Sequence, residues 1–171
     1  MAARARASVA NEPEQGALVL TRVFDAPRAL VFRAWTDPKH LAQWWGPKGF
    51  TNPVCEIEVR PGGALRIVMR APDGVDYPMT GVFREVVEPA RLVFTAIAWG
   101  EAGKPLLEVL TTVSFIERRG RTTLTLEARV FKSIPEGAPM LDGMAEGWTQ
   151  SLDRLAAHVA RGRKRFEARQ F

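Results

Sequence analysis

Two histidines, one cysteine and one tyrosine are the side chains here best suited to acid–base, metal or nucleophilic chemistry. His40 and His158 lie far apart along the chain, and neither has a Cys, His, Asp or Glu partner at metal-ligand spacing. Both read as surface histidines, and no metal is expected. Cys55 opens a strand-like segment with no base beside it to draw off its proton, so it reads as a buried structural thiol. Gly100-Glu101-Ala102-Gly103-Lys104-Pro105 has the glycines and lysine of a phosphate loop. The spacing is wrong, a proline follows the lysine, and no helix begins there. Tyr77 is a hydrogen-bond donor for an internal cavity if it shares the strand phase of Met79 and Phe83; Arg70, Thr95 and Thr111 are weaker polar candidates. No acid–base pair emerges. The expectation is therefore no catalytic residue and no cofactor.

The apolar residues carry a sharper signal. Trp44-Trp45 places two large rings on adjacent helical positions, about 100° apart, so both cannot face one partner. Either one plugs the core while the other caps a cavity mouth with Phe50 and the Gly46–Gly49 loop, or both simply pack. Leu141, Met144, Trp148 and Leu152 follow helical spacing, with Gly143, Gly147 and Ser151 in a small-residue strip beside them. Each mid-helix glycine costs about 1 kcal/mol against alanine, so close approach of another segment, or room for a ligand, must compensate. Methionine suits a wall that accepts variable shapes. Met69, Tyr77, Met79, Phe83 and Phe94 on the strands complete the expected cavity lining with Trp44, Trp45, Phe50 and the four helix residues; plain core packing is the competing reading.

The elements that must position these residues follow from periodicity. Ala17 to Phe24 reads as a strand. Pro27 then opens a helix bearing Leu30, Val31, Ala34 and Trp35, which stops before Pro38. Asp37-Pro38 caps a second short helix that breaks at Gly46-Pro47. Six strand-like stretches follow, at 54–60, 64–71, 77–87, 91–99, 106–117 and 121–131, with turns at Pro61-Gly62-Gly63 and Pro72-Asp73-Gly74. Beyond Pro139 the period changes to nearly four, and Leu141, Met144, Trp148, Leu152, Leu155 and Val159 form one stripe. Hairpin-length connections imply an antiparallel meander. One amphipathic helix cannot cover about seven strands unless the sheet curls around it, and curling leaves concave space beside the helix.

The composition of this 171-residue chain, 46% hydrophobic and 25% charged, is that of one ordinary globular domain. The division expected is a loosely attached tail over 1–15, a folded domain over 16–160 and a basic tail over 161–171. The longest apolar runs fall far short of a membrane span, the N-terminus has no apolar signal region, and a single cysteine fits a reducing compartment. A cytoplasmic location is expected. The net charge of +5 suggests nucleic acid at first. However, Arg4, Arg6, Arg161, Arg163, Lys164, Arg165 and Arg169 all lie near the two ends, and the rest is nearly balanced. No specific nucleic-acid partner is expected, and the basic end reads as a solvated helix terminus.

Thr36-Asp37-Pro38-Lys39-His40-Leu41-Ala42-Gln43-Trp44-Trp45-Gly46-Pro47, Arg60-Pro61-Gly62-Gly63, Pro72-Asp73-Gly74 and Gly147-Trp148-Thr149-Gln150-Ser151-Leu152-Asp153-Arg154-Leu155 occur in an order that resembles one family. It is the family similar to the activator of the 90-kDa heat-shock-protein ATPase, in its small stand-alone bacterial form, over about residues 17 to 160. The resemblance implies an α+β helix-grip fold of the START-like, birch-pollen-allergen-like group: a curved antiparallel sheet around a long C-terminal helix, with two short helices after strand one. It also implies a hydrophobic ligand cavity. The leading expectation is non-enzymatic binding of a small hydrophobic or amphipathic ligand in that cavity; the alternatives are a chaperone-interaction module and an enzyme of the aromatase/cyclase kind on the same fold. A monomer or homodimer is expected.

Overall fold

The computed structural model describes residues 6–9 and 17–169. Among these residues eight strands form one antiparallel sheet: β1 (Arg6–Val9), β2 (Ala17–Phe24), β3 (Thr51–Ile57), β4 (Ala64–Arg70), β5 (Asp76–Val87), β6 (Arg91–Trp99), β7 (Pro105–Arg118) and β8 (Arg121–Ser133). Helices α1 (Arg28–Thr36) and α2 (Pro38–Trp44) follow β2, and α3 (Ala138–Ala168) closes the chain. The spatial order is β1-β2-β8-β7-β6-β5-β4-β3. From β3 to β8 every strand pairs with its neighbour in sequence, as short hairpin connections require. Because α1 and α2 separate β2 from β3, β2 pairs with β8 instead. The curved sheet and long helix make the expected α+β helix-grip architecture. Among the described residues no helix is long and apolar enough to cross a membrane.

Two expectations change. Arg6–Val9, inside the segment read as a loose tail, pairs with β2 from Arg6↔Thr21 to Val9↔Leu18 and adds an eighth strand. The outer edge of β2 offers unpaired backbone groups that a neighbouring segment can satisfy, even though that segment lacks an apolar period. The rest of 1–15 lies outside the described residues. At the other end α3 continues past the expected boundary at 160 to Ala168.

Local chemistry explains the helices after β2. Asp37 Oδ1 accepts the Lys39 N–H at 2.9 Å, while Pro38 fills the first helical position of α2. Val31, Phe32, Ala34 and Trp35 bury one side of α1. The Trp44 indole N–H donates to the Ala34 carbonyl at 2.9 Å and locks the two helices together. Across the sheet, Leu20, Leu124, Leu126, Ala128 and Val113 point inward with the period of two. Leu152, Leu155 and Val159 of α3 press onto that face. Arg22, itself buried on β2, reaches Asp153 of α3 at 2.6 Å and ties helix to sheet.

Candidate functional site

The N-terminal half of α3 does not fill the concavity of the sheet. A cavity of about 380 Å³ remains between it, the inner face of β4 to β7 and the loop after α2. Of the residues singled out in the sequence, Trp45, Phe50, Met69, Tyr77, Met79, Met144 and Trp148 border it, joined by Met140, Gly143, Gly147 and Ser151 of α3. Its lining is almost wholly apolar. Tyr77 and Ser151 bring the hydroxyls, and the Ser151 hydroxyl already donates to the Gly147 carbonyl at 2.9 Å.

The glycine strip faces this space. A Cβ placed on Gly143 meets nothing within 4 Å, and one on Gly147 meets only the Pro47 ring at 3.8 Å. Of the two compensations open to these glycines, room is what the structure supplies; no backbone approaches them closely.

Five expected lining residues lie elsewhere. Trp44, Phe83, Phe94 and Leu152 are buried in the core itself. The rings of Phe83 and Phe94 stand 6.0 Å apart, with Trp45 6.4 Å from Phe94. Trp45 thus forms the partition: one side touches the core aromatics, the other the cavity. It is buried in the wall rather than capping the mouth, while Trp44 plugs the core. Leu141 is exposed, because it lies in the first turn of α3 with Pro139, Asp142 and Gly143, where no other segment covers it. At 100° per residue, the cavity side of α3 (Met140, Met144, Gly147, Ser151) is roughly 70° round the helix from the core stripe of Trp148, Leu155 and Val159. Periodicity finds the stripe and assigns Leu141 to it, but the void is beside the stripe.

Arg154 is the residue that sequence reasoning passed over. Its guanidinium donates to the carbonyls of Gln43, Trp45, Gly46, Pro47 and Phe50 at 2.9–3.2 Å. One side chain therefore gathers the loop that walls the cavity. Gly46 and Gly49, with φ of 96° and 86°, give this loop the left-handed backbone it needs. The Asn52 amide adds bonds to the carbonyls of Ala42 and Trp45, and Gln150 Oε1 accepts the Lys48 N–H. Burial draws the Arg154 pKa down from its usual value, yet a guanidinium remains cationic. A signal for it exists in the sequence. Arg154 lies seven residues, close to two turns, beyond Gly147 and shares the glycine side of the helix.

The weaker candidates do not converge on the cavity. Arg70 forms an exposed ion pair with Asp76 at 2.8 Å, and Thr111 is buried without lining the cavity. Cys55 is half-buried, and burial pushes its thiol up to about 11, which keeps it protonated. The histidines correct their reading as separate surface residues. His40 Nδ1 and His158 Nε2 are 2.8 Å apart, both half-buried, where α2 meets the C-terminal half of α3. Among the described residues no group of three or more His, Cys, Asp or Glu side chains is placed to hold a metal.

The sequence model of the family described as Activator of Hsp90 ATPase homolog 1-like protein matches residues 25–160. Among solved structures, a protein from Chromobacterium violaceum is 32% identical, with 84% of this chain and 96% of that one covered and a TM-score of 0.70. One from Arthrobacter aurescens is 26% identical, covering 90% and 91%, with a TM-score of 0.77. A third, an AHSA1 protein from Silicibacter pomeroyi, is 28% identical, covering 85% and 99%, with a TM-score of 0.72. Among curated proteins none matches.

Proposed function

The chain belongs to the Activator of Hsp90 ATPase homolog 1-like family, and from that premise we propose that it binds a small hydrophobic or amphipathic molecule in the cavity beside α3. The observation that carries this reading is the unfilled apolar space of about 380 Å³ flanked by glycines that no neighbour crowds. That volume suits a small-molecule site. Four methionines, Met69, Met79, Met140 and Met144, give the walls adaptability. Binding draws on desolvation at about 25 cal/mol per Å² of apolar surface, less the cost of ordering the ligand. The Tyr77 hydroxyl orients a polar end. The expected setting is cytoplasmic, in keeping with a single cysteine.

Native mass spectrometry of the purified chain, with a denatured control and an extract of what is released, tests this. A discrete added mass that vanishes on denaturation supports the reading and gives the ligand class. Bare protein that also fails to take up the neutral probe N-phenyl-1-naphthylamine overturns it. Turnover of the released compound replaces it with an enzyme of the aromatase/cyclase kind. The family's description favours one second reading, a chaperone-associated module working through the outer surface. Stimulation of ATP hydrolysis by a 90-kDa heat-shock chaperone is its test.

A further inference from the structure

The C-terminal turns of α3 bring the basic end of the chain against α1 and α2. Between the three helices is a second cleft, of about 560 Å³, lined on its charged side by Arg33, Lys39, His40, His158, Arg161 and Arg165, with Arg169 just beyond α3. Among the described residues no carboxylate lines it. Arg33 has Asp37 at 4.0 Å, whereas Lys39, Arg161, Arg165 and Arg169 have no ion-pair partner among the described residues. The neighbouring Arg163 differs, being paired with both Asp25 and Glu167. Cations from three separate helices thus face one space, those of α2 and α3 without counter-charge, and an apolar floor from Leu30 and Val159 weakens the screening there.

The histidine pair lies within the same field. At 2.8 Å one ring must donate and the other accept, so a second proton breaks the bond. Burial, then His40, Arg161 and Arg165, hold His158 below its usual value. Two adjacent imidazoles invite comparison with a metal site, but the surrounding cations repel a metal ion. The same cations attract an oxyanion, and guanidinium forks match phosphate geometry.

We propose that this cleft binds a phosphate-type oxyanion, held by Arg33 of α1, Lys39 of α2 and Arg161 and Arg165 of α3, with the His40–His158 pair at its base. The site is distinct from the apolar cavity and does not depend on that cavity being occupied. A bound dianion favours a protonated pair, so binding takes up a proton.

The test is calorimetric titration of the full chain with sodium pyrophosphate, at ionic strength held constant with sodium chloride. Saturable binding is expected, tightening as pH falls from about 8 to about 6. It weakens by about tenfold or more in the doubly substituted Arg161→Gln/Arg165→Gln chain, whose changed positions are exposed. Lys39→Gln, on a different helix, separates a built cleft from a merely basic helix end: the cleft predicts a loss there too, a helix end none. Sedimentation with phosphatidylcholine vesicles containing phosphatidic acid distinguishes the source. Binding only to vesicles, lost in the same variants, assigns the site to a lipid headgroup. Absence of saturable binding to either probe, or wild-type affinity in Lys39→Gln, overturns the proposal.

Discussion

The two halves of α3 share one core stripe yet leave opposite spaces beside it. In the N-terminal half, Met140, Gly143, Met144 and Gly147 stand away from the sheet, and the gap they leave is walled by methionines and aromatic rings. In the C-terminal half, Arg161 and Arg165 project over α1 and α2, and the gap is walled by cations. Arg154 divides the two, its guanidinium spread over five carbonyls of the loop that walls the first half. The difference teaches that a helix's stripe decides how it docks, whereas its flanking residues and their neighbours decide what the remaining space accepts.

The largest effect is expected in the core, next to the Trp45 partition. Trp44→Ala is expected to cost about 3–5 kcal/mol, because this fully buried ring packs 4.7 Å from Trp35; urea denaturation measures it. Trp45→Ala, at the partition, is expected to lose affinity for N-phenyl-1-naphthylamine beyond its stability loss. Equal losses of stability and binding in both variants would remove the distinction between plug and partition.

Arg154→Met tests the divider. Several carbonyls lose a charged donor, but water reaches part of the loop, so about 2–3 kcal/mol is expected. Denaturant titration gives the stability, and quenching of tryptophan fluorescence reports the opened loop. A loss below a few tenths of a kcal/mol makes the five contacts incidental.

Gly147→Leu sharpens the contrast by filling the apolar half alone. Probe affinity is expected to fall about tenfold, equivalent to 1.4 kcal/mol, while the thermal midpoint holds or rises as a glycine leaves the helix. Pyrophosphate binding at the other half stays as it was.

The basic half is sensitive to pH. Because His158 is held below its ordinary value of 6.5, the folded chain binds fewer protons than the unfolded chain as pH drops past that value. This contribution is fully present above about pH 6.5 and is lost progressively below it. His158→Gln is expected to flatten that limb in chemical denaturation across the range, though the lost ring contact with His40 lowers the plateau slightly. An unchanged slope removes the pair as its source. The smallest effect belongs to Gly143→Ala, where a methyl meets open space; it is expected to stabilise by up to about 1 kcal/mol, read from the denaturation midpoint.

Much of the frame was legible because backbone chemistry is local. Asp37-Pro38 announces a helix start, Pro61-Gly62-Gly63 a turn, and the alternation of Leu124, Leu126 and Ala128 a strand with one wet face. Trp45, Phe50, Met69 and Met144 border the unfilled space, in a region the sequence marks by aromatic and methionine side chains near a glycine strip. Phe83, Phe94 and Leu152 were beyond reach for a simple reason. A residue facing inward looks the same in sequence whether core or void lies opposite.

The sequence by itself determined the order of elements from β2 to α3, the antiparallel meander and the docking stripe of α3, because each follows from periods of two or 3.6 and from short connections. Only the tertiary structure decided which inward residues meet empty space. It also decided that Arg154 gathers a loop more than a hundred positions away, and that His40 and His158 form a pair. Those outcomes depend on which distant segments share a location, and that is fixed by how the sheet curls and where α3 rests upon it.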